Sequence, residues 1–382
     1  MATWTRGWCR WIARCAAVGL LLQGCSGSTP TANEAEATAS HDSAGSDSSA
    51  ADGHDAGGGA DVTDATGLTD ATGVTDATGL IDVTSSTDAT GPHDAETTAG
   101  GDGDAAADTG AAAPLCGGWG APEKAAKLPT PIDEASGLAV SSFDADVLWT
   151  HNDGKEGRLY AVRASTGAKL ATVQLTGLTD SQRDWEDLAA GPCGSQAPGK
   201  RCLYIADTGD NGKSRKVVHI HRVIEPNPNQ APSTIGAYQT LALTYPDKPH
   251  DSEALAVEES GRVWLFTKSS TKLSVFSAPF IAGAATLKAE TTFDRAKQMG
   301  GDASRVTGAD WHPVAHTLIL RTHDTAWEVC PGAAGLAALS GAPWHQVKVA
   351  DEVQGEAIAY GTDTIWQVSE GASALLRKLP RL

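Results

Sequence analysis

Five stretches of this chain share one design, and their spacing narrows the folds open to it. They are "IDEASGLAV" from Ile132, "RDWEDLAAG" from Arg183, "HDSEALAVE" from His250, "RVTGADWHP" from Arg305 and "VQGEAIAYG" from Val353. Each is a polar patch with an acid, then a small residue, then a short apolar run. A second strand follows each and ends in polar residues: "LWTHNDG", "LYIADTGDN", "LFTKSS", "LILRTHD" and "IWQVSEG". The starts recur about every 45 to 65 residues, with room for four strands in each unit. Four-stranded units repeated at that period are the mark of a β-propeller.

The rest of the folded part agrees. Runs such as "RLYAV", "VVHIHRVI", "RVWLFTK" and "KLSVFS" alternate or are β-branched, with Gly, Asp, Pro or Ser between them. "AAGLAALSG" (Ala333 to Gly341) is the only helical candidate, so the class is all-β. Residues 132–176, 183–246, 250–295 and 305–350 each hold about four strands, whereas the unit from Gly355 holds three. "EKAAKLP" (Glu123 to Pro129) has nothing to pair with locally and is expected to close the ring as the fourth strand of the last blade. Five blades are predicted, or six if the long second unit splits.

The chain ahead of this domain is of another kind. Arg6, Arg10 and Arg14 precede a short apolar run, Ala16 to Leu22, too short to span a bilayer. It ends in "LQGC", which resembles the bacterial lipobox and implies a signal over residues 1–24 and a lipidated Cys25. Ser26 resembles the sorting residue of an outer-membrane lipoprotein. From Ser26 to Ala113 there is no Lys, Arg or aromatic residue but 17 acids, and "TDATGL" recurs in six-residue steps. Such a composition cannot offset the entropy of ordering, so residues 25–113 read as a lipid-anchored spacer. A coil of that length reaches about 50 Å. The net charge of −18 is mostly the spacer's. Residues 114–382 carry 26 basic and 30 acidic residues, without the basic footprint of a nucleic-acid binder. The expected setting is the bacterial envelope, with the membrane as a partner through the lipid and the propeller a monomer.

Cys116, Cys193, Cys202 and Cys330 remain in the domain. In an oxidising compartment an even number is most simply two disulfides. Cys193 and Cys202 flank a Gly- and Pro-containing loop and are expected to staple a hairpin, leaving Cys116 with Cys330. Zinc is a weaker alternative, since no CxxC or nearby His pair supports it.

In a propeller the start of the first strand and the end of the second lie at one face. That expectation places Glu134, Glu186, Glu253, Asp310 and Glu356 in a ring, with His151, Asn152, Asp153, Asp207, Asp210, Asn211, Lys268, His323 and Asp324 close by. Converging carboxylates raise one another's pKa or hold a hard cation. A carboxylate repeated in every blade equally suits a structural acceptor of backbone N–H groups. Asp184 and Asp187 lack a counterpart in each blade, and their role stays open. His219 and His221 share one side of an outer strand, expected to face solvent. The recurring Trp residues (Trp149, Trp185, Trp264, Trp311, Trp327, Trp366) suit packing between blades.

The series "ASGLA", "THND", "DWEDLA", "YIADTGDN" and "SEALAV" resembles a group of exported bacterial propellers of unassigned function, similar in turn to SdiA-regulated, esterase-like-phytase and SMP-30/gluconolactonase propellers. The resemblance covers about Ile132 to Tyr360. It implies Ca²⁺ or another divalent ion at the channel mouth, with Glu134, Asn152, Asp153, Glu186, Asp207, Asp210 and Glu253 as candidate ligands. Asp310, His323 and Glu356 join them by position on the same face. The phytase acidic motifs are absent, as are GxSxG, HExxH and a Ser-His-Asp arrangement. The expected function is a surface-tethered module that binds a small ligand or protein at its channel mouth. The alternative is a divalent-metal-dependent hydrolase of phosphoesters or lactones.

Overall fold

The computed structural model describes residues 116–236, 238–300, 305–352 and 354–382. The expectations for the signal, Cys25 and the spacer lie outside these residues. Five antiparallel four-strand blades stand around a central channel as a β-propeller, and the sheets of blades one and two each gain a fifth, parallel strand at the outer edge. Blade one is Ala135–Val140, Val147–Asn152, Arg158–Arg163 and Lys169–Leu175; blade two is Trp185–Pro192, Arg201–Asp207, Val218–Ile224 and Gln239–Thr244. Blade three is Ser252–Val257, Arg262–Thr267, Lys272–Pro279 and Lys288–Asp294; blade four is Val306–His312, Thr317–Thr322, Ala326–Val329 and Trp344–Val347. Blade five is Gly355–Tyr360, Thr364–Ser369 and Leu375–Pro380, completed by Glu123–Lys127. Each first strand packs against the first strands of its two neighbours, and the fifth returns to the first.

The apolar runs lack a polar face because a blade is covered on both sides. In "RCLYIAD", Cys202, Tyr204 and Ala206 pack toward blade three, while Leu203 and Ile205 pack toward blade one. Five buried clusters result, one at each blade interface. Full burial of a side chain such as Leu203 contributes about 2 kcal/mol.

Closure follows the expected route. Glu123–Lys127 runs antiparallel to Leu375–Pro380, Gly120 N–H donates to the Pro380 carbonyl at 2.8 Å, and the Arg381 guanidinium lies 4.7 Å from the Trp119 ring. Cys116 is bonded to Cys330 and Cys193 to Cys202. The long second unit does not split into a sixth blade. Its extra length forms Thr234–Ile235, which pairs in parallel with the outer strand of blade one. In the same way Gly283–Thr286 reaches back onto the outer strand of blade two. Ala333 to Gly341 is not an α-helix but 3₁₀ turns over Gly332–Gly341, broken at Gly335 with φ 65°. A five-residue α-helix, Arg295–Met299, escaped the sequence reading because little more than one turn carries no periodicity; the Asp294 side chain caps it through Lys297 N–H.

One local feature sets the channel. Every first strand shifts register just after its first residue, between 135 and 137, 185 and 187, 252 and 254, 306 and 308, and 355 and 357. Such a bulge re-aims the extra side chain, here Ser136, Glu186, Glu253, Thr307 and Glu356. The next position is crowded by the neighbouring blade. A Cβ on Gly137 would meet the Leu188 nitrogen at 2.4 Å, and one on Gly308 the Glu356 carbonyl oxygen at 2.5 Å. Blades three and five carry Ala254 and Ala357 there, and blade two alone carries a long group, Asp187. Its Oδ1 accepts from Leu188 N–H, and its Oδ2 from Leu255 N–H of blade three and Ala309 N–H of blade four, at 2.8 to 3.1 Å. Burial pushes the Asp187 pKa well up despite these donors. Asp187 thus ties three blades together.

Candidate functional site

The bulges decide which residues form the ring at the channel mouth. It consists of Ser136, Glu186, Glu253, Thr307 and Glu356. Glu134 lies two residues ahead of its blade's ring position and is exposed. Asp310 lies three residues beyond its own. Its carboxylate is spent on Trp311 N–H at 2.9 Å and, across the blade boundary, Tyr360 N–H at 2.8 Å. The hydroxyl members are blade links: Ser136 Oγ donates to the Glu186 carbonyl at 2.5 Å and Thr307 Oγ1 to the Gly355 carbonyl at 3.0 Å.

The three glutamates differ in what answers them. Lys268 Nζ pairs with Glu253, and His323 Nδ1 lies 3.1 Å from Glu356 Oε1. The Glu186 carboxylate, on a residue only 5% exposed, has no hydrogen bond or ion pair among the described residues. It sits between two pairs of acids. Asp153 and Asp184 lie on one side and Asp251 and Glu253 on the other, and in each triad the ligand oxygens come within 4.8 Å of one another. Gly209 makes room for this, since a Cβ there would lie 1.9 Å from Glu186 Oε1 and 2.6 Å from Asp184 Oδ2.

The electrostatic result is an upward shift at Glu186 and the four acids beside it. Burial first, then Glu253, Asp153, Asp184 and Asp251, push the Glu186 pKa well above the carboxylate range. Burial, Asp184, Glu134 and Glu356 push Asp153 up to about 6, and one of its oxygens, Oδ1, is buried without a partner. Burial raises Asp184 and Asp251 as well. Glu253 is also raised, because burial outweighs the Lys268 ammonium beside it. Glu370 at the rim is pushed up to about 7 by burial and by Glu356, Asp153 and Glu134. Oxygen donors packed this closely are the set that a hard divalent cation takes.

Four of the expected ligands are engaged in hydrogen bonds within the fold. Asn152 Nδ2 donates to the Pro131 carbonyl and Asp133, and its Oδ1 accepts from Glu134 N–H. Asp207 accepts from Asp184 N–H at 2.9 Å and from Arg215 at 2.8 Å, with His221 Nε2 3.5 Å away. Burial alone would raise the Asp207 pKa, but the His221 and Arg215 contacts outweigh it and the net shift is down. Asp210 caps its own loop, accepting from Ser214 and Arg215 N–H. Asp310 is the fourth, as above. His151 is fully buried, with Nδ1 2.9 Å from the Asn152 carbonyl, and burial lowers its pKa to about 4. Against expectation, His221 is not solvent-facing: it is 5% exposed and lies edge-on to Tyr238. Trp149, Trp185 and Trp264 fill blade interfaces as expected.

Asp184 and Asp251 were not among the expected ligands, although a signal exists. Aligning the five segments on their apolar runs, rather than on their acids, puts Asp184 and Asp251 two residues before a ring glutamate, in "DWE" and "DSE". The same alignment makes Glu134 their counterpart in blade one.

No family model matches the chain, and no curated protein matches it. Among solved structures it is similar to virginiamycin B lyase from Staphylococcus aureus, at 12% identity over 67% of this chain and 69% of that one, with a TM-score of 0.34. A streptogramin B lyase is similar at 10% identity over 68% and 97%, with a TM-score of 0.36. A protein titled a putative gluconolactonase is similar at 10% identity over 68% and 92%, with a TM-score of 0.38.

Proposed function

We propose that the channel mouth is a divalent-cation site and that the propeller binds its ligand through that cation, as an envelope-tethered module. The carrying observation is Glu186, a buried carboxylate with no ion pair among the described residues, set between Asp153 and Asp184 on one side and Asp251 and Glu253 on the other. Lys268 forms its ion pair with Glu253 and reaches Glu186 and Asp251 only at longer range, so the five acids keep an excess of negative charge. A Ca²⁺ or similar ion on these residues would offset it and leave coordination positions for a ligand entering from solvent. A hydrolase is the second reading. It is favoured by Asp153, whose Oδ1 is buried without a partner at the edge of the cluster and could take the proton of an attacking water.

A calcium titration of the intact chain, followed by melting and calorimetry at about pH 8, tests the proposal. Saturation at a hundred times Kd stabilises by about 2.7 kcal/mol, and Glu186→Gln should remove the effect. Absence of stabilisation by Ca²⁺, Mg²⁺, Mn²⁺ or Zn²⁺ would sink both readings. Cation-dependent cleavage of a phosphoester or lactone, lost in Asp153→Asn while the ion still binds, would select the hydrolase. For the tether, acyl labelling that persists in Cys25→Ser would remove the anchor from the proposal.

A further inference from the structure

Blade two carries a second cavity, away from the channel axis. It has a volume of about 740 Å³, within the range that holds small ligands. Its walls are the connection from blade one (177–183), the loop 214–217, and His219, His221, Tyr238 and Thr240 on the outer strands. His219 and His221 sit two residues apart on one strand, so their rings share a face; they stack 6.0 Å apart with 12° between planes. Tyr238 stands edge-on to His221 at 5.6 Å. These rings form a flat wall with hydroxyls around it from Thr179, Ser214 and Tyr238.

The charges are divided unevenly. The two acids here share one cation: buried Arg215 contacts Asp180 at 3.0 Å and Asp207 at 2.8 Å. Asp180 Oδ2 also lies 3.3 Å from His219 Nδ1, without forming a hydrogen bond to it. The bases are not answered. Arg183 donates only to the Leu178, Asp180 and Lys155 carbonyls, and neither it nor exposed Lys216 meets a carboxylate among the described residues. We infer that this cavity is a binding site for a small polyhydroxylated anion of the sugar-acid or sugar-phosphate kind, its charge near Lys216 and Arg183, its ring against His219, His221 and Tyr238, and a hydroxyl at His219 Nε2.

The cavity shares no lining residue with the five clustered acids at the mouth, so it is tested in chelator. Titration calorimetry on the intact chain compares D-glucuronate, D-glucose 6-phosphate and uncharged D-glucose. At least one anionic sugar should bind, at least about ten times more tightly than glucose, a difference of about 1.4 kcal/mol. Which of the two binds identifies the anion. His219→Gln or Lys216→Met should weaken that binding about ten-fold, whereas Glu186→Gln should leave it unchanged. Lys216 is exposed, so Lys216→Met reads the charge without disturbing the fold. Silence from both anionic sugars up to about 10 mM, glucose binding as well as they do, or wild-type binding by both pocket variants would each overturn the inference.

Discussion

Replacing Asp153 by Asn isolates one carboxylate of the channel mouth, and its effect on stability should reverse the usual trend with pH. The Asp153 pKa rises from 3.8 to about 6, through burial first and then Asp184, Glu134 and Glu356. A carboxyl group raised in this way favours the fold fully below its unfolded pKa, and that contribution is lost as pH climbs through the folded value. The window is therefore about pH 4 to 6. At about 1.4 kcal/mol per pH unit the shift corresponds to about 3 kcal/mol, and solvent screening at this partly open site reduces it to about 1–2 kcal/mol. Asn keeps the shape and carries no charge. In chelator near pH 8 the variant should melt about 3–5 °C above the natural chain for a domain of this size. Near pH 4, with Asp153 protonated in the fold and about half protonated in the unfolded chain, the gap should shrink to a small fraction of its pH 8 value. Thermal melts at constant ionic strength from about pH 4 to 8 make the comparison. A variant less stable near pH 8, or a difference that does not change with pH, would refute the placement of Asp153 among unrelieved acids.

Glu186→Gln should also raise the melting temperature in chelator near pH 8, and calcium should then add nothing; a calcium response equal to that of the natural chain would move the ion elsewhere. Asp187→Ala leaves Leu255 N–H and Ala309 N–H without an acceptor inside the channel. It should cost about 3–5 kcal/mol in chemical denaturation, with Asp187→Asn recovering part. The Cys116–Cys330 bond closes a loop with a sequence separation of 214, so the double Ser variant should lose up to about 5 kcal/mol of unfolding free energy while keeping its circular dichroism spectrum.

How far the chain could be read without its structure depended on how local each feature is. Strand identity, five blades, the closing role of Glu123–Lys127 and the Cys193–Cys202 staple follow from residues close in sequence or from a segment left without a local partner. Alternation reports on the strand itself, so "RCLYIAD" announces two covered faces before either cover is known. The membership of the ring did not follow. Lining up the acids of the five segments promoted Glu134 and Asp310, whereas the ring positions in those blades belong to Ser136 and Thr307. A β-bulge is defined by how two strands pair, and a one-residue slip exchanges the residue aimed at the mouth for one buried between blades.

The division is clearest at "RDWEDLAAG". Its sequence determined that a strand starts there and that three acids stand at its head. Only the packing of neighbouring blades separated their roles: Asp184 and Glu186 face the mouth with Asp153 and Asp251, and Asp187 turns into the channel to hold the backbone of three blades. The sequence likewise placed His219 and His221 on one side of a strand. It took Asp180 and Arg215 folding over them to turn that side into a cavity wall. Local chemistry decides which residues form a strand; the fate of a buried charge depends on which other charges the fold brings within a few ångströms of it.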